Sequence, residues 1–285
     1  GLTDAQRVDC ALILANASGP DGMVAGQVLD TLHHPSAQDE LTEVHHLKTG
    51  AMIAGACMLG VGAAGGSEAD NWALKATAEA YKEKGNHIIT TKIEHHAILH
   101  TGEWLEKHGF EVTYVDVDEF GKVKLDELEK AIRPTTILIS VMFANNEIGT
   151  IQPIKEIGEI AKKHGILFHT DAVQAYGQLP INVDELNIDM LSSSGHKLNG
   201  PKGIGFLYIR KGVKIRSFIH GGAQERKRRA GTENVPGIVG YGVAAERAAR
   251  TMKERTAKEI ELRNHLIDRV LAEVPYTRLN GHRTD

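Results

Sequence analysis

The residue types with the most chemistry to offer sit in Ser192-Ser193-Ser194-Gly195-His196-Lys197-Leu198-Asn199-Gly200-Pro201-Lys202-Gly203. This stretch places Lys197 at the tip of a small-residue turn, directly after the mostly apolar run Ile188 to Leu191 and before a second run, Ile204 to Ile209. An amine presented where a strand ends, among hydroxyls, an imidazole and backbone N–H groups, suits capture of a phosphorylated aldehyde as a Schiff base. On the turn alone, a solvated lysine in a hairpin is the favoured reading. A second run, Ile166-Leu167-Phe168-His169-Thr170-Asp171-Ala172-Val173-Gln174, reads as a buried strand ending in a carboxylate. Asp171 and Lys197 then both lie at strand C-termini, the edge of an open α/β sheet where ligands bind.

A carboxylate that keeps a pyridine nitrogen protonated and an amine that holds an aldehyde are the pair that pyridoxal phosphate requires. An aspartate at the end of a strand also serves as an ordinary helix cap, so the pair is consistent with both roles. Near the start of the same region, Gly66 and Ser67 precede a helix, where unpaired N–H groups and the dipole attract a phosphate; Ser67 is at the same time a good N-cap residue.

The elements that must hold these groups alternate. Ser67-Glu68-Ala69-Asp70 opens a helix to about Lys84, His87 to Thr91 is a strand, and Ala97 to Lys107 a helix. Glu111 to Val117 reads as strand, Leu125 to Ile132 as helix, Ile137 to Phe143 as strand and Ile154 to His164 as helix. Helix and strand in turn predict an α/β domain with a mostly parallel sheet covered on both faces. After Pro236 a long amphipathic helix through Val239, Val243, Ala244, Ala248, Met252 and Ile260 to Leu271 is expected to lead out of the domain.

Residues 1–65 differ in composition. All fourteen aromatics of the 285-residue chain lie after them, and they carry Arg7 and Lys48 against seven acids. Apolar spacing in Val8, Ala11, Leu12 and Ala15, and again in Leu41, Val44, Leu47, Met52 and Ile53, fits helices. The chain as a whole carries a net charge of −4 with both signs mixed, which gives no reason to expect nucleic acid or a membrane as partner. No apolar stretch is long enough for a bilayer span and the first residues lack the basic start of a signal peptide, so a cytoplasmic protein is expected. Two cysteines, Cys10 and Cys57, are too few for a disulfide framework.

Two patterns carry less than they suggest. Gly60-Val61-Gly62-Ala63-Ala64-Gly65 matches the dinucleotide fingerprint, but its flank reads as helix and Glu94 comes too late for the ribose acid. Glu43 and His46 form a Glu-x-x-His pair, whereas a diiron bundle needs two such motifs and further carboxylates. No metal site is expected.

Six blocks in order, Gly66-Ser67-Glu68-Ala69-Asp70-Asn71, Glu94-His95-His96-Ala97, Asn145-Asn146-Glu147-Ile148-Gly149, Asp171-Ala172-Val173-Gln174, Ser194-Gly195-His196-Lys197 and His220-Gly221-Gly222 through Arg229-Ala230-Gly231-Thr232, resemble the cysteine desulfurases of the class V aminotransferase family. The resemblance implies the large domain of the type I fold of pyridoxal-phosphate enzymes over residues 66–235, and a small domain beginning in 236–285. It implies Lys197 and His95 as catalytic residues, and Gly66, Ser67, Asn146, Asp171, Gln174, Ser194, His196, Lys197 and Thr232 around pyridoxal 5'-phosphate. Thr232 is expected to reach the phosphate across a homodimer, and His95 to stack on the ring and help move protons. The implied reaction converts L-cysteine to L-alanine and leaves sulfur on an enzyme thiol, for a sulfur-acceptor or iron–sulfur scaffold protein; selenocysteine is an alternative substrate.

The family's nucleophilic cysteine and carboxylate-binding arginine are expected beyond Asp285, and neither Cys10 nor Cys57 falls on a family cysteine position. The first strand and helices of the large domain are expected to be replaced by residues 1–65, which resemble trans-isoprenyl diphosphate synthases through Gly22-Met23-Val24-Ala25-Gly26-Gln27-Val28-Leu29-Asp30 and His46-Leu47-Lys48-Thr49-Gly50-Ala51. That likeness places Gln27 and Lys48 toward a diphosphate, but the aspartate motifs that would hold magnesium are missing. The alternatives to a desulfurase are therefore an inactive dimerising or assembly fragment and an isoprenyl synthase-like protein.

Overall fold

A computed structural model gives the structure of the chain and describes residues 61–284. The helices expected in residues 1–60, with Gln27, Lys48, Cys10, Cys57 and the Glu43/His46 pair, lie outside the described residues.

The chain enters through strand β1 (Val61–Ala63), followed by α1 (Gly66–Tyr81), β2 (His87–Thr91), α2 (His96–Glu106), β3 (Glu111–Val115), α3 (Leu125–Lys130), β4 (Thr136–Ser140) and α4 (Ile154–His164). Then come β5 (Leu167–Asp171), β6 (Met190–Ser194), a short 3-10 turn (Gly195–Leu198), β7 (Gly205–Ile209) and the 39-residue helix α5 (Val235–Glu273). The seven strands form one sheet in the order β1-β7-β6-β5-β4-β2-β3. The pairings of β6 with β5, β5 with β4, β4 with β2 and β2 with β3 are parallel. Those of β7 with β6 and β1 with β7 are antiparallel.

Every residue of β2, β4 and β6 is buried. A strand covered by helices on both faces has no solvent side, so its sequence runs without polar alternation. On one face α1 and α2 bring Trp72, Leu74, Ile98 and Leu105 against Ile88, Leu138, Met190 and Leu207. On the other, α3, α4 and the start of α5 bring Leu128, Ile157, Ala161, Tyr241 and Ala245 against Ile139, Phe168 and Phe206. The spacing Ile154, Ile157, Ala161 gives α4 its inner face, and Lys162, Lys163 and His164 in its last turn suit the helix dipole before Gly165, at φ 64°, ends it.

Two expectations need revision. Residues 61–63, assigned from the sequence to a helical segment lacking the domain's first strand, form the strand β1, in register with Gly205 to Leu207 of β7. A three-residue strand flanked by glycines has too little period-2 pattern to be read from sequence. The long helix, expected to leave the domain from Pro236, first belongs to it: Gly237, Tyr241, Gly242, Ala245 and Ala248 are buried although Val243 faces outward, and beyond them Leu262, Leu266 and Val270 are exposed.

Candidate functional site

The C-terminal ends of β5 and β6 and the N-terminus of α1 meet at a cleft of about 170 Å³ lined by Gly66, Ser67, Asp70, His95, Asn146, Val173, Gln174, Ser194, His196 and Lys197. Antiparallel β6 and β7 form the hairpin that carries the lysine. Gly195 N–H donates to Ile204 O at 2.9 Å and Gly200 N–H to Gly195 O at 3.0 Å, while Asn199 at φ 59° closes the turn. Gly205 has no room for a side chain, since a Cβ would stand 2.4 Å from Ser193 O. Lys197 is thus held exposed on a turn whose backbone is fixed on both sides.

His95 stands at the N-cap of α2, where its Nδ1 accepts from Ala97 N–H at 3.1 Å, leaving Nε2 to carry the ring proton. Its loop is anchored by Glu94, 5% exposed, which accepts from Thr91 Oγ1 at 2.7 Å and from Met142 N–H at 3.0 Å. Asn145 ties the neighbouring loop to it, donating to Ile93 O at 2.9 Å while accepting from Glu147 N–H at 2.8 Å, and so presents Asn146 to the cleft. Ser194 Oγ and His196 Nδ1 are paired at 2.8 Å. Burial, Lys197 and Lys202 together hold the His196 imidazole below its ordinary value, which favours its neutral form.

Asp171 lies beneath this ring of residues at the last position of β5, 5% exposed, with Oδ1 accepting from Val173 N–H at 2.9 Å. Burial pushes its carboxyl up, and the Val173 amide, His95 and Lys197 pull it back toward the charged form. Lys197 and His95 are therefore both close enough to act on Asp171. The amine lines the cleft, and the acid, 26 positions earlier in sequence, is buried at the end of β5, bonded to the amide of Val173, whose side chain lines it.

The donor set fits a flat pyridine ring bearing an aldehyde and a phosphate. No side chain caps α1, so its first-turn amides remain for an anion beside Ser67, Ser194 and His196. Gly66 permits the close approach this requires, because a Cβ there would come 2.6 Å from Val173 Cγ2. Two expected binding residues do not line the cleft: Asp171, buried behind Val173, and Thr232. Thr232 is exposed, and lines a separate depression with Gly62, Gly203 and Glu233.

The sequence reading gave no site role to two further buried acids, Asp70 and Glu94, or to the imidazole His169. Burial pushes Glu94 up to about 8 against the opposing Thr91 hydroxyl and Met142 amide, with Asp171 adding to the rise. His169 is fully buried, its Nδ1 2.9 Å from Ser140 Oγ and its Nε2 2.9 Å from Ser192 Oγ. Strand alternation was the available signal, because positions 169 and 171 of β5 share a face.

Burial depresses the His169 pKa from 6.5 to about 3. The folded chain refuses a proton that the unfolded chain accepts below 6.5, so stability is complete above that pH and is lost as the pH falls toward 3. His169→Gln, measured by urea unfolding between these limits, is expected to flatten the acid limb by up to about 1.4 kcal/mol per pH unit. An unchanged slope would contradict this assignment.

A sequence profile of the family described as Aminotransferase class-V matches residues 61–285. The cysteine desulfurase IscS of Methanosarcina thermophila is 65% identical over 220 residues, 77% of this chain and 54% of the relative. Its counterpart in Clostridium botulinum is 61% identical over 217 residues, 76% of this chain and 55% of the relative. This chain spans about half the length of these curated relatives. Among solved structures, a NifS-like protein superposes with TM-score 0.75 at 41% identity, covering 88% of this chain and 72% of the other. SspA in complex with cysteine gives TM-score 0.67 at 39% identity, covering 88% and 74%. The mostly parallel sheet between helical layers is the type I fold of pyridoxal-phosphate enzymes that these structures share.

Proposed function

The chain belongs to the aminotransferase class-V family, and on that premise we propose that it forms the cofactor-binding part of a pyridoxal-phosphate-dependent cysteine desulfurase, converting L-cysteine to L-alanine and handing its sulfur to a thiol. The observation that carries the reading is the meeting of Lys197 and the uncapped start of α1 on one cleft, with Asp171 buried behind Val173 in its wall. Pyridoxal phosphate, when bound, supplies a sink for the electrons left on the substrate's α-carbon.

In this reading Gly66, Ser67, Ser194 and His196 hold the phosphate, and Asp171 holds a proton on the ring nitrogen. Asn146 and Gln174 orient the ring's oxygen and the substrate. Lys197 Nζ would hold the aldehyde and, when free, take the proton from the substrate's Cα. His95 covers the ring face and moves a proton through Nε2. A thiolate would then attack the substrate's sulfur, the S–S bond of a persulfide forming as the Cβ–S bond breaks and Cβ takes a proton to become the methyl of alanine. Residues 61–284 contain no cysteine, so that thiol comes from outside them.

Thr232, exposed and remote from its own chain's cleft, is suited to complete the phosphate site of a second copy, which makes a homodimer part of the proposal. A sulfur-acceptor or iron–sulfur scaffold protein is the partner that the product chemistry requires. The solved relative described in complex with cysteine supports the choice of substrate.

Titrating the purified chain with pyridoxal phosphate is expected to give a saturable absorbance change, and L-cysteine with an added small thiol to give alanine and sulfide in equal amounts. Absence of a saturable change would remove the proposal. Binding without alanine would instead favour the inactive dimerising fragment, a reading that the absence of cysteine from residues 61–284 keeps in play.

A further inference from the structure

The cleft contains a second carboxyl to which the reaction above gives no task. Asp70 projects from the first turns of α1 and is 1% exposed, yet it lines the same cleft as Ser67, His95 and Lys197. Its Oδ1 has no hydrogen-bond partner and lies 3.9 Å from His169 Nε2, a nitrogen already engaged by Ser192. The charged groups that act on it are acids, Asp171 from β5 and Glu94 from the loop before α2, whereas Lys197 and His95 act on Asp171. Burial and both neighbouring acids raise its carboxyl well above the ordinary range, and only the Ser192 hydroxyl opposes them.

Asp70 abuts His169, and Asp171 follows His169 by two positions on the same face of β5, so the two buried carboxyls are neighbours; like charges so placed and out of water do not ionise together. The charge settles where the opposing groups are. Asp171 has the Val173 amide, His95 and Lys197; Asp70 has a neutral imidazole and a serine.

We propose that Asp70 is a positioning residue acting through Asp171: it keeps its proton at neutral pH, which confines the negative charge to Asp171, and at alkaline pH its ionisation adds a second charge that strengthens the ring nitrogen's hold on its proton. The second half of this proposal rests on the cofactor reading above; the first does not.

Asn has the shape of a protonated Asp and cannot ionise, so Asp70→Asn separates charge from shape. In the cofactor-free chain at neutral pH, the infrared carbonyl band of protonated carboxylic acid is expected to lose one group's intensity in D70N. In the wild type the same intensity is expected to fade as the pH rises. With pyridoxal phosphate loaded, D70N is expected to bind within about threefold of wild type at neutral pH, while its absorbance-against-pH curve lacks one alkaline step.

Equal infrared intensity in both proteins would overturn the proposal, as would an unchanged alkaline curve or a tenfold loss of affinity at neutral pH. If the wild type does not take up the cofactor, the desulfurase reading fails, and the infrared result still decides the protonation of Asp70. Should D70N not fold, Ser192→Ala serves in its place. It removes the one opposing hydroxyl, and is expected to move the wild-type infrared titration to higher pH; no movement or the reverse would overturn the assignment.

Discussion

Lys197→Ala is expected to abolish the adduct that borohydride fixes between this chain and pyridoxal phosphate, and to slow Cα proton exchange on L-cysteine by roughly 10³-fold, within the 10² to 10⁴ that a positioned base contributes. The hairpin is held by its backbone and by Leu198 in the core, so removing an exposed amine leaves the turn in place. Noncovalent cofactor binding through α1, Ser67, Ser194 and His196 is therefore expected to survive, weakened. The measurement is mass spectrometry of the reduced protein. A persistent adduct, on Lys202 for instance, would show that this lysine is not the aldehyde's partner.

Asp171→Asn is expected to separate binding from chemistry. The amide oxygen still accepts from the Val173 N–H, so β5 keeps its end, but the neutral side chain no longer stabilises a protonated ring nitrogen. Loss of one charge-assisted hydrogen bond, about 1.5–3 kcal/mol, corresponds to an increase of roughly 10- to 100-fold in the cofactor's dissociation constant. Proton exchange at Cα is expected to fall further, by about 10³-fold, because the lost interaction strengthens as charge develops. Equal effects on the two quantities would show that Asp171 only binds.

The strand-end positions of both residues were legible in the sequence for a physical reason. A parallel sheet gathers its functional side chains at strand C-termini, and a strand that ends abruptly in Asp171 or in a serine-rich turn announces such a position. Helix α4 was legible to the residue, since apolar spacing opens it and Gly165 closes it. Strand β4 was read as running to Phe143, and there the chain does remain extended, with Val141 and Phe143 N–H still bonded to β5 carbonyls after the ladder proper ends at Ser140.

What could not be read was burial of charge. Asp70 follows Glu68 in the opening turns of a helix, where an acid is ordinarily a favourable partner of the dipole facing solvent. Only the packing of α1 on β5 and β6 turns it inward, beside Asp171. Glu94 was considered only as a ribose-binding acid, and its role as the anchor of the His95 loop depends on Met142, 48 positions away. Thr232 illustrates a different limit: the fold leaves it outside the cleft of its own chain, and the second copy that the proposal assigns it to cannot be read from one chain.

The two borders of the sheet also bear on how the protein behaves at high concentration. A strand with an open side is a template on which a neighbouring molecule adds another strand. Here β1 offers only three residues on one border, and on the other β3 begins with an exposed Glu111 paired to Arg133, with Lys92 and Asp116 paired beside its far end. Neither border presents a long, flat, uncharged ribbon, so the described fold carries its own protection against stacking edge to edge into aggregates.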